Sequence, residues 1–179
     1  MLKPNSLREA LTAAIPELAR KPESLQIYVT GGNPQAWYGE SLSWRYSYTL
    51  QLTVLDYAGS PDEVIFPLLW WARVHQPDLL LNHDRAENAI RFEVDYVDAG
   101  TVDISIELPL TEAVDVLQND PHDADDDQRY YIQHRCPTPI AGTAGVTATL
   151  PDGVKLLVTR YGEYILGADG VLRTPPVAE

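Results

Sequence analysis

The fold is decided by residues 43–77, whose sequence is SWRYSYTLQLTVLDYAGSPDEVIFPLLWWARVHQP. Its first half alternates strictly, and the large apolar side chains at every second position are Trp44, Tyr46, Tyr48, Leu50, Leu52 and Val54. Successive side chains of an extended strand point to opposite faces, so this alternation predicts a long, half-buried β-strand. A turn at Gly59 follows. Ser60 then suits a helix cap, Pro61 the first helical position and Glu63 a capping box.

The helix predicted for residues 61–76 carries an unusually broad apolar surface. Its stripe at helical spacing comprises Val64, Ile65, Leu68, Leu69 and Ala72. Phe66, Trp70 and Trp71 widen the stripe, which indicates burial against the sheet on one side and a neighbouring subunit on the other. These three residues are therefore candidate subunit or partner contacts. Cover by the C-terminal segment is the alternative.

Residues 6–20 have the pattern of an amphipathic helix. The apolar residues that recur at helical spacing are Leu7, Leu11, Ala14, Ile15 and Leu18. Ser6 and Glu9 have the spacing of a capping box at its start. Pro16 is expected to kink this helix or to split off its last turn.

A short strand is predicted for residues 25–30. The next ten residues, GGNPQAWYGE at 31–40, are rich in turn formers and predict a loop. Trp37 and Tyr38 in this loop are candidate contacts, because exposed aromatic side chains often mark a contact surface. A loop folded back on its own domain is the alternative.

Residues 90–97 and 101–108 predict a β-hairpin. The apolar sets expected to face inward are Ile90, Phe92, Val94 and Tyr96 on the first strand and Val102, Ile104, Ile106 and Leu108 on the second. The element order is αββαββ. It predicts an α+β fold with a mostly antiparallel sheet and helices packed on one face.

The C-terminal third has a different composition. Residues 120–128, DPHDADDDQ, predict an extended acidic linker, and alternation between 146 and 173 predicts a small β-meander. The expected organisation is a first domain at 1–118, a linker at 119–128 and a β-rich extension at 129–179.

Composition limits the partners. The 179 residues carry a net charge of −13 with no basic cluster, so tight binding to duplex DNA is not expected. An acidic surface repels DNA weakly and lets it slide past, which is more typical of a conduit than of a clamp. Neither a secretory signal nor a membrane span is expected. A single cysteine, Cys136, forms no internal disulfide, which suits a reducing cytosol.

The sequence gives only weak support for a metal-binding site. Asp123, Asp125 and Asp127 occupy the first positions of an EF-hand loop, but Gln128 and His134 stand where glycine and glutamate are required. The histidines near other acidic residues, His83 and His122, lack further ligands at a recognisable spacing. His75, in the last helical turn, is expected to interact through partial positive charge with the helix dipole.

The sequence also gives little support for a catalytic site. Cys136 lies between Arg135 and Pro137 without a cysteine–histidine signature, and Gly31-Gly32 is too short for a phosphate loop. We expect no catalytic residue, no metal ligand and no cofactor, and therefore no enzyme.

Three separated blocks carry a resemblance. They are SLREALTAAIPELARKPESLQIYV at 6–29, YTLQLTVLDYAGSPDEVIFPLLWWARVHQPDLL at 48–80 and FEVDYVDAGTVDISIELPLTEAVDV at 92–116. In this order and spacing they resemble the tail completion protein R family of contractile-tailed temperate bacteriophages. The resemblance covers residues 1–117 and leaves 118–179 outside it.

The resemblance implies a structural protein of the virion tail, assembled in the cytoplasm of the bacterial host. Such a tail completion or terminator protein caps the head-proximal end of tube and sheath and provides the joint to the neck. It acts as a homo-oligomeric ring, usually a hexamer, through which DNA passes without specific binding. Closed symmetry is required because a cap must stop growth while its subunits contact each other head to tail.

Two alternatives stay open at this point. A neck or head-tail connector protein also assembles as a closed ring but contacts the portal side. A cytosolic enzyme or ligand-binding module is the other, with Tyr161 and Tyr164 in the meander as ligand contacts; the lack of a convergent polar constellation argues against it.

Overall fold

The computed structural model of the protein describes residues 1–39, 41–81, 86–87, 89–98, 100–118, 130–135, 155–159, 162–166 and 172–173. The helices are α1 (Lys3–Ala14), α2 (Pro16–Arg20), a 3₁₀ turn (Pro22–Ser24), α3 (Asp62–His75) and α4 (Asp78–Leu81). The strands are β1 (Leu25–Ala36), β2 (Trp44–Tyr57), β3 (Arg91–Tyr96), β4 (Val102–Gln118), β5 (Tyr130–His134), β6 (Lys155–Thr159), β7 (Gly162–Leu166) and β8 (Leu172–Arg173).

The main sheet has five antiparallel strands in the order β1-β2-β4-β3, and β5 pairs with the far end of β4. β4 is long enough, at 17 residues, to carry β3 beside its first half and β5 beside its last five residues. This arrangement confirms the predicted α+β class with a mostly antiparallel sheet.

The core of the described residues lies between one face of the sheet and the helices. The even-numbered residues of β2 and β4 supply the sheet side, namely Tyr48, Leu50, Leu52, Val54, Ile104, Ile106, Leu108 and Leu110, all at most 4 % exposed. Leu7 and Leu11 of α1 and Val64, Leu68 and Trp71 of α3 complete it. The alternation in residues 43–77 therefore assigns the buried face correctly. Leu69 departs from the predicted stripe, since it is 38 % exposed on the outer side of α3.

Pro16 splits the first predicted helix rather than kinking it. α1 ends at Ala14, and α2 starts at Pro16 after Ile15 adopts an extended conformation. Proline disfavours the helical conformation in the residue before it, which explains why Ile15 is the break.

β1 is longer than predicted. The strand continues through residues 31–36, which were expected to form a loop, and pairs with β2 as far as Ala36 opposite Trp44. A bulge between Val29 and Gly31 precedes this second half. A Cβ on Gly32 would lie 3.0 Å from Cβ of Tyr48, so the glycine permits a close approach of the two strands. Pairing with the long β2 thus overrides the turn propensity of GGNPQ.

β3 lies at the other edge of the sheet and is only partly covered. Phe92 is 58 % and Tyr96 79 % exposed, so the expectation that both face the core is wrong. They lie on the helix-bearing side, opposite Ile106 and Val102, but at the sheet edge. Asp98 fixes the turn into β4 by accepting hydrogen bonds from the backbone N–H groups of Gly100 and Thr101.

The C-terminal strands fall into two groups. β5 extends the main sheet, whereas β6, β7 and β8 form a separate three-stranded antiparallel sheet in sequential order. This second sheet matches the predicted meander from β6 onward; the strand predicted for 146–150 and the linker at 119–128 lie outside the described residues. The predicted boundary after 118 separates β4 from β5, two strands that pair. No helix among the described residues is long and apolar enough to cross a membrane.

Replacing Trp71 by alanine is expected to lower the free energy of unfolding by about 3–5 kcal/mol, because the indole is 3 % exposed within the core. Trp37→Ala, a matched control at a side chain that is 69 % exposed, is expected to change it by less than about 0.5 kcal/mol. Urea denaturation followed by circular dichroism measures both. Equal effects of the two substitutions would contradict this assignment of the core.

Candidate functional site: the Glu112 cluster and the aromatic end

The start of α1 is capped by a residue that is remote in the sequence. The helix begins at Lys3 after Leu2, which provides no side-chain cap. The carboxylate of Glu112 on β4 instead accepts hydrogen bonds from the backbone N–H groups of Leu2 (2.8 Å) and Lys3 (3.3 Å). These are among the N–H groups that a helix leaves without an internal partner, and an anion at this end also suits the helix dipole.

The predicted capping box at Ser6 and Glu9 is therefore wrong. The helix starts one turn earlier, and Ser6 lies inside it. Its hydroxyl accepts a hydrogen bond from the indole Nε1 of Trp71 at 3.1 Å. Ser6 thus joins α1 to α3 instead of capping α1.

The second predicted capping box, Ser60 with Glu63, is present in part: the Ser60 hydroxyl accepts a hydrogen bond from the backbone N–H of Asp62 at 3.3 Å, whereas the Glu63 side chain bonds to Tyr57. A register shift in β2 after Val54, with Asp56 in a left-handed conformation (φ 52°), turns Tyr57 into the core. Its hydroxyl donates to Glu63 Oε2 at 2.7 Å, and the Glu63 side chain is buried there. The carboxylate therefore connects β2 to α3.

Glu112 also contacts two strands besides its own. It is 6 % exposed; the hydroxyl of Tyr48 on β2 donates to Oε1, and Nδ1 of His134 on β5 lies 3.2 Å from Oε2. One carboxylate therefore connects α1, β2, β4 and β5. We call Glu112, Tyr48, His134 and the backbone of Leu2 and Lys3 the Glu112 cluster.

At neutral pH the groups of this cluster keep the protonation states that its hydrogen bonds require. Burial by itself would raise the pKa of Glu112, but the hydrogen bonds from Tyr48, Leu2 and Lys3 outweigh burial and lower it. Burial, followed by the hydrogen bond to Glu112, raises the pKa of Tyr48 well above its usual range. The phenol thus stays a donor and the carboxylate an acceptor at neutral pH.

Gln76 connects the same region to the end of α3. The side chain is 3 % exposed, and its carbonyl oxygen accepts hydrogen bonds from the ammonium group of Lys3 and the backbone N–H of Thr111. Its amide nitrogen donates to Asp78 Oδ1 at 2.6 Å and to Thr111 Oγ1 at 3.1 Å. Burial lowers the pKa of Lys3, while Glu112 and Asp78 oppose this shift.

His75 packs differently from the prediction. Its ring stacks on Trp71 with centroids 5.0 Å apart and planes 22° apart. Burial, and then the charge of Lys3, lower the pKa of His75. Neutral imidazole is therefore favoured, and stacking takes the place of the predicted interaction between a charged ring and the helix dipole.

Exposed aromatic and aliphatic side chains gather where β1 meets β2 and β4 meets β5. The residues that form this surface, here called the aromatic end, are Trp37 (69 % exposed), Tyr38 (fully exposed), Leu42 (59 %), Tyr130 (60 %) and Ile132 (62 %). Strand register places their segments at the same end of the sheet, because Trp44 on β2 lies opposite Val114 and Val114 lies opposite His134. The Ser43 hydroxyl also accepts a hydrogen bond from the backbone N–H of Val116 at 3.1 Å.

A groove of about 370 Å³ lies beside Trp37 and Tyr38 of the aromatic end. It is lined by Trp37, Tyr38, Gly39, Ser41, Ser43, Trp44, Arg45, Ala113, Val114, Asp115 and Arg135. Arg135 binds both carboxylate oxygens of Asp115, at 3.1 and 2.6 Å. These hydrogen bonds lower the pKa of Asp115 and raise that of Arg135. The pair fixes Arg135, the residue that follows β5, against β4.

The predicted contact residues separate into three environments. Trp37 and Tyr38 are exposed at the aromatic end, Phe66 and Trp70 pack partly buried against the core, and Trp71 lies inside it. Leu42, Tyr130 and Ile132 had not been predicted. Alternation in YYIQH is the one signal in the sequence for β5, and five residues are too few to distinguish a strand from an irregular segment.

The chemistry available at these sites is hydrogen bonding and apolar contact. Within the described ranges, no group of three His, Cys, Asp or Glu side chains is placed to hold a metal ion. Cys136, His83, His122 and the acidic run around Asp125 lie outside those ranges.

Comparison with known proteins identifies the family. The family model described as P2 phage tail completion protein R (GpR) matches residues 1–139. The chain belongs to this family. Tail completion protein R of Escherichia phage P2 is 39 % identical over 120 residues, which cover 67 % of this chain and 77 % of that protein. No solved structure matches the chain.

Family membership places the chain among the structural proteins of the bacteriophage tail. The family match extends beyond residue 117, where the resemblance noted in the sequence ends, and it includes all of β5. Both partners of the Glu112–His134 contact therefore lie inside the family region.

Glu112→Gln is expected to lower the free energy of unfolding at pH 7 by about 1.5–3 kcal/mol, because the buried charge-assisted hydrogen bonds are weakened. The pKa of Glu112 is lowered on folding, so its contribution is present above the unfolded value of about 4.3. It is lost as the pH falls through the lower folded pKa. Denaturation at pH 7, 5 and 3.5 should show the difference from wild type shrinking at the lowest pH.

Glu9→Gln is the matched control, because Glu9 is exposed on α1. A Glu112→Gln variant whose stability follows pH as steeply as wild type would show that another group controls the acid sensitivity.

Proposed function

We propose that this protein completes the phage tail as a closed ring that caps the head-proximal end of tube and sheath. Its subunit contacts require no cofactor. The single observation that carries the proposal is the family match over residues 1–139. Capping halts polymerisation, and the opposite face of the ring then forms the joint to the neck. Assembly takes place in the host cytoplasm.

A ring of head-to-tail contacts requires two different complementary surfaces on every subunit. The main sheet offers them, because β1 and β3 lie at its opposite edges. Six copies are the expected number, by analogy with the symmetry of the tube that such rings cap. The net charge of −13 supports a passage that repels the phosphates of DNA and lets the duplex slide through.

The aromatic end is the surface proposed to contact the tail tube. It lies at the ends of the strands, whereas β1 and β3 present the sides of the sheet. A partner along the tail axis must use a surface that neighbouring subunits leave free. Trp37 and Tyr38 suit this contact, because large aromatic side chains contribute most to interfaces when they become buried.

The C-terminal module is proposed to serve a separate partner. The sheet of β6, β7 and β8 follows the family region, which ends at residue 139. We propose that this module contacts the last sheath layer or a collar protein.

The proposed capping is tested with tails assembled in a host infected by a phage that lacks its own completion protein. Adding the purified protein is expected to give tails of uniform length with density at one end in negative-stain electron micrographs. The combined substitution Trp37→Ala and Tyr38→Ala is expected to reduce the capped fraction at least tenfold without changing the thermal stability of the protein.

Leu81→Ala, which truncates a side chain that is 60 % exposed on α4 and does not line the groove beside Trp37 and Tyr38, is the matched control and should cap normally. Binding to DNA-filled heads in preference to tails would assign the protein to the neck instead.

A chain that ends at residue 139 should still form rings and cap tails, because it keeps all five strands of the main sheet and the whole family region. Its affinity for sheath or collar should fall. A chain that ends at residue 117 loses β5 and the contact between His134 and Glu112, so we expect a lower melting temperature. Light scattering and thermal denaturation measure the two properties. Loss of ring formation in the longer truncation would place the C-terminal module in the ring itself.

A further inference from the structure

β1 has the composition of a strand that another chain can join. Its sequence, LQIYVTGGNPQA, contains no charged residue in twelve positions. Edge strands are normally protected from pairing by charges, especially lysine, or by short length. In the described part of the chain β1 pairs with β2 alone. Tyr28 (50 %) and Val29 (38 %) are exposed before the bulge.

β3, at the opposite edge, also carries exposed apolar side chains. Phe92 and Tyr96 lie on the helix-bearing face of the sheet and are 58 % and 79 % exposed. Arg91, Glu93 and Asp95 alternate with them and lie on the other face. One face of this strand therefore has apolar surface that the subunit leaves uncovered.

We propose that β1 of one copy pairs with β3 of the next copy and that this pairing closes the ring. The inference rests on the proposed ring and identifies the surfaces that build it. The two edges differ from each other, so the contact is head to tail and generates a ring.

Strand direction supports the pairing. Each strand runs opposite to its neighbour in the order β1-β2-β4-β3. β1 and β3 are thus antiparallel to each other. When a second sheet continues the first with the same face inward, its β3 lies antiparallel to the β1 beside it. Antiparallel pairs form the more stable ladder.

The two edges also lie at the same level of the sheet. Leu25 pairs with Val54, Val54 with Ile104, and Ile104 with Val94. A neighbour placed without a shift along the strands therefore brings Val94 opposite Leu25 and Phe92 opposite Ile27. Both members of each pair lie on the helix-bearing face, so apolar side chains meet apolar side chains.

The opposite face has compatible chemistry. There the polar and aromatic residues Gln26 and Tyr28 of β1 meet Arg91 and Glu93 of the neighbouring β3. No like charges oppose each other across the joint, because β1 has none. Pairing of β1 with a second β1 would instead bring identical edges together in a two-fold dimer and leave β3 exposed.

The first experiment introduces a charge on each edge. Val29→Lys and Phe92→Lys are expected to shift the mass measured by light scattering from ring to monomer, with at least a tenfold loss of the assembled fraction. Leu69→Lys is the matched control, since Leu69 has the same 38 % exposure as Val29 but lies on α3. It should assemble like wild type. Circular dichroism confirms the folding of all three variants.

The second experiment fixes the neighbours by cross-linking in a Cys136→Ser background. Gln26→Cys combined with Glu93→Cys places two exposed residues directly opposite in the unshifted register, within the Cα distance that a disulfide spans. Oxidation should give a ladder of multimers on a non-reducing gel. Tyr28→Cys with Glu93→Cys reports a shift of two residues, and Gln26→Cys with Arg73→Cys is the negative control.

The outcomes separate this inference from the proposed function. Rings that persist in both lysine variants, with no ladder from either cysteine pair, overturn the β1–β3 contact while the ring stands. Dimers that stop at two subunits also overturn it and indicate β1–β1 pairing. A wild-type protein that stays monomeric, alone and on tail tubes, overturns both proposals.

Discussion

The carboxylate of Glu112 is the constraint on which the remaining structure depends. It lies in a buried position on β4, where an unpaired charge would cost several kcal/mol. Hydrogen bonds from the start of α1 and from Tyr48 satisfy it, and Nδ1 of His134 lies 3.2 Å away. The start of the chain, the middle of the sheet and the strand that follows residue 129 are therefore joined at one point. The first helix and the last strand of the main sheet depend on the same side chain.

The buried face of the sheet could be predicted because it depends only on which residues alternate along a single strand. Tyr48, Leu50 and Leu52 alternate in the sequence and are buried in the structure, since a strand that is covered on one side shows its register in its own residues. The helix caps could not be predicted in this way. Ser6 and Glu63 have ideal capping spacing, but tertiary partners 65 and 6 residues away bind their side chains.

The aromatic end shows the same limit. The sequence alone identifies Trp37 and Tyr38 as candidate contact residues. Tyr130 and Ile132 become candidates only once β5 is known to pair with β4. Strand order determines which residues from distant segments share a surface, and a single sequence contains little information about strand order. The exposed state of Phe92 follows from the position of β3 at the edge, which alternation alone does not reveal.

The bulge after Val29 and the proline at position 34 limit how much of β1 is available for pairing. Pro34 has no N–H to donate, and a bulge bends and twists a strand, so only the first five residues offer a regular edge. A ladder this short holds two free subunits weakly. A subunit that already sits on the end of a tube meets its neighbours at a high effective concentration, and many weak contacts then act together. The geometry of one strand thus lets the ring form at a lower protein concentration on the finished tail than in free solution.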